Sequence, residues 1–398
     1  MKFPRQTIHD VDPESLSGKR VLVRVDFNVP VKNGIVTDLT RLEAVQPTIR
    51  QLIDSGAKSI LISHRGRPGG EVDDGLRLDP IVQPLEELLK CEVAKARDVV
   101  GTSARAVLDG LESGQVALLE NLRFAPGEKA NDADFARSLG QFAEVYVNDA
   151  FGACHRAHAS ITGVPKFVSP AVAGDLVQAE YQALHSVHEN PERPFAALLG
   201  GAKISDKLGV IETLLDRADF VLVGGAMAFT FMLAEGGEVG DSLVERDFID
   251  DARRILKTID EYSGDLVLPP DVLVADELSE NARTKTVPYG QIPDGWQGVD
   301  IGSDARRRFI DILKKMNTVF WNGPLGIFEI EPFAQGTNQV ARAMANHSSK
   351  VVVGGGDSAA AVNQAGIRDR FHHISTGGGA SLDLVENGSL PGIDALDS

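Results

Sequence analysis

Short β-branched, apolar runs recur along the chain, each breaking off into a polar or glycine-rich loop before helical spacing begins. In the first half Val21–Val25, Ser59–Ser63, Val116–Leu119 and Val145–Val147 give way to Asp26, His64, Glu120 and Asn148. In the second half Phe195–Leu199, Phe220–Val223, Leu266–Leu268, Val319–Trp321, Val351–Val353 and His373–Ser375 behave alike, ending in Gly200, Gly224, Pro269, Asn322, Gly354 and Thr376. Continuous apolar strands alternating with helices predict an α/β protein with parallel sheets covered on both faces and right-handed crossovers. Arg41–Gly56 carries apolar residues near helical spacing, and Pro47 inside it predicts a kink or a late start. Asp206–Leu215 and Asp357–Ala365 also read as helices, each opening on an acid that suits an N-terminus.

At 398 residues the chain exceeds what one core supports, so two domains are expected. The two strand sets are separated by Pro165–Pro194, within which Val172–His188 reads as one helix. It is either an interdomain connector or another crossover helix, and comparable strand sets on both sides favour the connector. The expected division is a first domain over 1–171, a connector over 172–190 and a second domain over 191–384.

Net charge is −17, from 57 acidic and 40 basic residues. Such a chain is ill suited to wrap nucleic acid or an anionic membrane surface. It also means that an anionic ligand requires basic residues gathered locally. The two cysteines, Cys91 and Cys154, form no disulfide framework and no CxxC metal pattern. Phe220–Ala234 is too short for a membrane span and reads as strand, loop and helix start. Met1–Asp10 has no apolar h-region, so a cytoplasmic location is expected.

Ligands of open parallel sheets bind beyond the carboxyl ends of the strands. In the first half those ends carry Asp26, Asn28, Arg41, His64, Arg65, Arg67, Arg123, His155, Arg156 and His158. Any one of these arginines could be a surface residue. Several from separate strand ends indicate a small, multiply charged anion, because guanidinium binds phosphate and carboxylate bidentately. His155 and His158 suit anion contacts or a structural role better than a metal, for which further ligands are lacking. The second half instead offers Gly200-Gly201-Ala202-Lys203, Gly224-Gly225, Gly323-Pro324, Gly354–Ser358 and Gly377–Gly379. Glycines after a strand let backbone approach a phosphate, and the next helix offers N–H groups and a positive dipole end. Several such loops point to a nucleotide. Asp357 is either an N-cap or a ligand for Mg²⁺ on the phosphates. No GxxxxGK[ST], GxGxxG or GxSxG occurs, which excludes a P-loop, the dinucleotide fingerprint, the protein-kinase glycine loop and a nucleophile elbow.

The chain resembles the phosphoglycerate kinase family along essentially its whole length. The resemblance is carried by Val23–Pro30 (VRVDFNVP), Ser63–Pro68 (SHRGRP), Leu119–Phe124 (LENLRF), Asn148–Gly152 (NDAFG), His155–His158 (HRAH), Leu199–Lys207 (LGGAKISDK), Trp321–Pro324 (WNGP) running to Phe328-Glu329, Gly354–Ser358 (GGGDS) and Ser375–Ser381 (STGGGAS). It implies two Rossmann-like parallel-sheet domains facing a cleft, joined by a helix and hinge. The N-terminal domain would take the glycerate and the C-terminal domain the nucleotide. The tail at 385–398, with Leu390-Pro391-Gly392, would pack back on the first domain. The implied reaction is glycolytic: 1,3-bisphosphoglycerate plus MgADP gives 3-phosphoglycerate plus MgATP, reversibly. These small molecules and Mg²⁺ would be its partners, with no nucleic acid or membrane, and a monomer is implied.

By the same resemblance, substrate contacts fall on Asp26, Phe27, Asn28, Arg41, His64, Arg65, Gly66, Arg67, Arg123 and Arg156. Nucleotide contacts fall on Gly201, Lys203, Lys207, Asn322, Glu329, Gly355, Gly356, Asp357 and Ser358, with Asp357 on Mg²⁺ and Glu329 on the ribose. Arg41, Lys203 and the N–H groups of Gly377, Gly378 and Gly379 would meet the transferring phosphoryl group. Direct transfer needs no general base, since the attacking group is already ionised: a carboxylate in the ATP-consuming direction and an ADP phosphate oxygen in the other. Three departures stand out. Arg65 replaces a usual Leu, adding a charge near the basic patch or facing solvent. Leu39 replaces a polar residue before Arg41. Asp175–Glu180 replaces the usual start of the connector helix.

Overall fold

The computed structural model describes residues 3–398. Met1 and Lys2, which open the first expected domain, lie outside the described residues. The chain divides into two compact units, Met1–Gln182 with Ser389–Ser398, and Ala183–Gly388.

The first unit is built on six parallel strands: β1 (Arg20–Val25), β2 (Lys58–Ile62), β3 (Val93–Lys95), β4 (Val116–Leu118), β5 (Val145–Asp149) and β6 (Ala171–Ala173). Their order is β3-β4-β2-β1-β5-β6. Val21, Leu22 and Val23 are all fully buried, so both faces of the sheet are covered, as an uninterrupted apolar run requires. The chain leaves β1 toward β2 and leaves β5 in the opposite direction, which opens a crevice at their carboxyl ends. The last ten residues add to this unit: Asp397 N–H donates to Ala171 O at 2.8 Å, and Asn148 Nδ2 donates to Gly392 O at 3.1 Å.

In the second unit the main sheet is formed by β7 (Phe195–Leu199), β8 (Phe220–Val223), β9 (Asp265–Val267), β13 (Thr318–Asn322), β14 (Lys350–Gly354) and β15 (His373–Ile374), in the order β9-β8-β7-β13-β14-β15, all parallel. Strand order reverses between β7 and β13. Between β9 and β13 in sequence lies a small antiparallel sheet, β10 (Asp271–Ala275), β11 (Thr284–Pro288) and β12 (Gln297–Ile301), in the order β11-β10-β12.

Several elements differ from the sequence expectation. The short strands β3 and β6 and the antiparallel sheet were not expected. Val172 belongs to β6, and the helix expected from it runs over Asp175–Glu189. The Arg41–Gly56 segment is two helices, Thr40–Ala44 and Gln46–Asp54, broken at Val45 with Pro47 in the first turn of the second. The helix expected from Asp206 starts at Leu208, because Lys203–Lys207 is held in turns. A helix covers Gly378–Asn387 in the second unit, and Ser389–Ser398 group with the first.

Candidate active site

In the first unit the basic residues gather around the end of β1. Asp26 follows the strand. Burial pushes its carboxyl up, but Arg41, His64, Arg24 and the Asn28 N–H outweigh burial and hold it below the usual aspartate value. Arg41 Nη1 donates to Asp26 Oδ2 at 2.8 Å and to Asn28 O at 3.1 Å. Asn28 Oδ1 accepts from Gly66 N at 2.9 Å, and Phe27 N donates to Ser63 Oγ at 2.8 Å. The Phe27 ring lies in the core, so only its backbone is available to a ligand. Gly66 has φ +65°, and a Cβ there would meet Leu76 at 2.5 Å. Its carbonyl accepts from Arg123 Nη1 at 2.6 Å. Burial, with the charges of Arg156 and Arg24, brings the Arg123 guanidinium down to about 10 against the pull of Asp26 and Glu128. Arg156 is half-buried, its Nε 3.0 Å from His155 Nε2, and Arg67 is exposed. Burial, Arg123, Arg156, Arg24 and Lys129 push His158 down to about 4, so it is neutral at pH 7.

Arg65 does not face solvent. Its side chain is buried, and Nη1 donates to Arg77 O at 2.9 Å. Leu39 is exposed and provides no side-chain cap for the helix carrying Arg41. In the third departure Asp175 pairs with His9 at 2.6 Å, and Glu180 is fully buried.

The sequence reading missed Arg24 and Glu128, both fully buried beneath this cluster. The available signal for Arg24 was a charge inside an otherwise apolar strand run. Cys154 is buried, and burial pushes its thiol up to about 12 despite Arg24 and Asn148, so it is no nucleophile at neutral pH.

In the second unit the site forms where strand order reverses. Gly200 N donates to Asn322 O at 2.9 Å, and Gly201 N donates to Pro324 O at 2.8 Å, which ties the loops after β7 and β13 together. The contact is too close for a side chain: a Cβ at Gly200 would sit 2.1 Å from Pro324 O. Lys207 lies beneath this floor, donating to Gly200 O and, at 3.1 Å, to Asn322 O. Burial brings its ammonium down to about 8 against the pull of Asp357 and Asp206. Ser358 Oγ accepts from Gly323 N at 2.6 Å, and the buried Asn322 Nδ2 has no hydrogen-bond partner.

Two helix starts meet here. The helices Gly356–Gln364 and Gly378–Asn387 begin after Gly355 and Gly377, and neither has a side-chain cap. A Cβ on Gly378 would lie 3.4 Å from Gly355 Cα and Gly356 N, so the starts abut. With exposed Lys203, buried Lys207, Asn322 and Gly323, and the Gly355–Ser358 turn, they line a cavity of about 540 Å³. Uncapped N–H groups and helix dipoles make such a place an anion site. Beside it lies a mostly apolar pocket of about 320 Å³, lined by Gly225, Ala228, Phe229, Leu243, Pro269, Leu278 and Leu325, with Glu329 among its polar lining. Gly201, Ala202, Pro324 and Asp357 line both. The apolar pocket escaped the sequence reading because its residues come from a helix, two strands of the antiparallel sheet and several loops that share no motif. Asp357 is not the N-cap; that position is Gly355, with φ +96°. Its exposed carboxylate stands in the first turn and lines both cavities, which suits a cation carried on phosphates.

A cluster of arginines on one α/β unit and uncapped, glycine-lined helix starts on another are the features expected of a two-unit phosphotransferase. The phosphoglycerate kinase family model matches residues 8–388. The phosphoglycerate kinase of Synechococcus elongatus is 51% identical over 397 residues, covering 99% of each chain. That of Roseiflexus castenholzii is 51% identical over 395 residues, again covering 99% of each. The solved phosphoglycerate kinase structures from Coxiella burnetii and Pyrococcus horikoshii match with TM-scores of 0.85 and 0.86, at 36% and 33% identity, over 98% of each chain. The chain belongs to the phosphoglycerate kinase family, and it is a kinase of glycolysis.

Proposed function

We propose that the enzyme transfers a phosphoryl group directly and in line between 1,3-bisphosphoglycerate and MgADP, giving 3-phosphoglycerate and MgATP. The observation that carries this reading is the joined pair of cavities in the second unit. One is lined by abutting helix starts and suits a phosphate chain; the other is apolar, suits a base, and presents Glu329 to a ribose. The first unit, with its buried arginines, takes the glycerate. His64, Arg67, Arg123 and Arg156 hold its phosphate, and Asp26 and Asn28 meet its hydroxyl and carboxyl end.

Both substrates are anions, so the transferring group needs positive charge from both units. Arg41 approaches it from the first. Lys203 and the N–H groups of Gly377–Gly379 approach it from the second, and Lys207 reinforces the nucleotide phosphates. Each preorganised donor is worth about 2.7–4 kcal/mol where charge develops. Mg²⁺, held by Asp357 and the nucleotide phosphates, would neutralise phosphate charge there. An acyl phosphate hydrolyses readily, so the two units close over it by bending at the connector and exclude water. Both half-sites belong to one chain, which suits a monomer. No helix among the described residues is long and apolar enough to cross a membrane. A glycolytic reaction fits action in the cytoplasm.

Calorimetric titration tests the division of labour. Arg123→Ala should lose the 3-phosphoglycerate signal and keep that of MgADP. A variant that lost MgADP and kept 3-phosphoglycerate would overturn the assignment.

A further inference from the structure

Beneath the basic cluster runs a buried chain of polar groups that the reaction does not itself use. Arg24 is fully buried inside β1. Its Nε donates to Ser160 Oγ at 2.9 Å, Nη1 donates to Val25 O, and Nη2 lies 3.0 Å from His64 Nδ1. Ser160 in turn donates from Oγ to Glu128 Oε1 at 2.6 Å and from its backbone N to Glu128 Oε2 at 2.9 Å. Tyr146 fixes the same turn, its hydroxyl donating to Ser160 O at 2.7 Å. Glu128 is fully buried and reaches Arg24 through the one Ser160 hydroxyl.

Guanidinium has donors and no acceptor. The nitrogen it meets on His64 must therefore be the unprotonated one, and a neutral ring then carries its proton on Nε2. We propose that Arg24, braced by Glu128 through Ser160, is a positioning residue that locks His64 in the neutral Nε2–H tautomer, so that His64 orients the glycerate as an uncharged donor. This rests on the reading that the first unit takes the glycerate. The charged groups acting on His64 are Asp26, with Oδ1 3.8 Å from Nδ1, and Arg24, Arg123 and Arg156. Asp26 alone favours an imidazolium; burial and the three guanidiniums outweigh it and hold the ring well below the usual histidine value. The consequence is chemical. An imidazolium would add a further positive charge beside Arg24, Arg123 and Arg156, whereas a neutral Nε2–H offers one directed hydrogen bond that orients the glycerate without that repulsion.

The test is nitrogen NMR of the histidine rings in the full-length enzyme, with steady-state kinetics beside it. In the wild type His64 should show the Nε2–H tautomer unchanged from pH 6 to 8; an Nδ1–H ring or an imidazolium in that range overturns the proposal without any variant. Arg24→Met should release the ring into mixed tautomers with protonation growing as pH falls, and should make KM for 3-phosphoglycerate pH-dependent. Ser160→Ala, a milder change, should raise that KM roughly tenfold (about 1.4 kcal/mol), with KM for MgADP unmoved and partial loss of the tautomer preference. If Ser160→Ala left both the ring signals and KM unchanged, the brace would be refuted. If the wild type turned over no 3-phosphoglycerate, the functional reading would fail instead, whatever the tautomer.

Discussion

Asp149 offers a sharp test of how burial governs this fold. It closes β5 with its side chain fully buried, and Oδ1 accepts from Leu176 N at 2.9 Å and Val177 N at 3.2 Å in the first turn of the helix Asp175–Glu189. Burial pushes its carboxyl up, with help from Asp175, and the bonds from Thr48, Val177 and Leu176 recover only part; the result is about 7 against an ordinary 3.8. The folded value lies above the unfolded one. The acid's contribution is therefore most favourable below about pH 4, where both states carry the proton. It declines as pH rises, because the unfolded chain ionises first, and levels off once the folded group ionises above about 7. A gap of about three pH units corresponds to on the order of 4 kcal/mol. Asp149→Asn keeps an acceptor at Oδ1 and removes the titration. The assay is urea denaturation of variant and wild type at intervals from pH 4.5 to 8, following the first unit. The variant's advantage should be small at pH 4.5 and grow to a few kcal/mol by pH 7.5, with unchanged m. A pH-independent difference, or a variant less stable at pH 8, would refute the reasoning.

Other outcomes follow from the same geometry. Arg41→Ala should lower kcat far more than it raises KM for nucleotide, while Glu329→Ala should mainly raise that KM; steady-state kinetics in which the patterns were exchanged would reverse the assignments. Gly200→Ala forces a Cβ to within 2.1 Å of Pro324 O. At about 1–3 kcal/mol for such overpacking, ADP affinity measured by calorimetry should fall roughly tenfold or more, with 3-phosphoglycerate binding kept. Native Cys154 should resist alkylation at pH 8 and react only after unfolding, and acid quenching during turnover should trap no phosphoenzyme. Rapid native labelling or a covalent intermediate would count against direct transfer.

The parallel sheets were legible because their long strands are uninterrupted apolar runs that end in glycine or a polar residue. Val93–Lys95 and Ala171–Ala173 were not legible: three residues with a lysine or alanines carry no period, and neighbouring strands decide their state. Thr284–Pro288 is mostly exposed and polar, so only its pairing with Asp271–Ala275 makes it a strand. The first helix after the Gly200 loop begins later than its sequence suggests because Lys207 turns inward to the Gly200 and Asn322 carbonyls. That inward turn depends on a contact between segments 115 residues apart, which no local pattern contains. The motifs marked the polar half of each site, where backbone approach demands glycine and phosphate demands guanidinium. The apolar pocket and the Arg24–Ser160–Glu128 brace were hidden for opposite reasons: the first is chemically ordinary at every position, and the second assembles only when distant strand and helix ends meet.

The most direct test of the account is ATP formation from 1,3-bisphosphoglycerate and ADP by the purified enzyme, read by a coupled assay with and without Mg²⁺. The expected result is stoichiometric ATP and 3-phosphoglycerate, nearly abolished when the metal is chelated and restored on its return. Binding of both ligands with no ATP, or turnover indifferent to Mg²⁺, would contradict it.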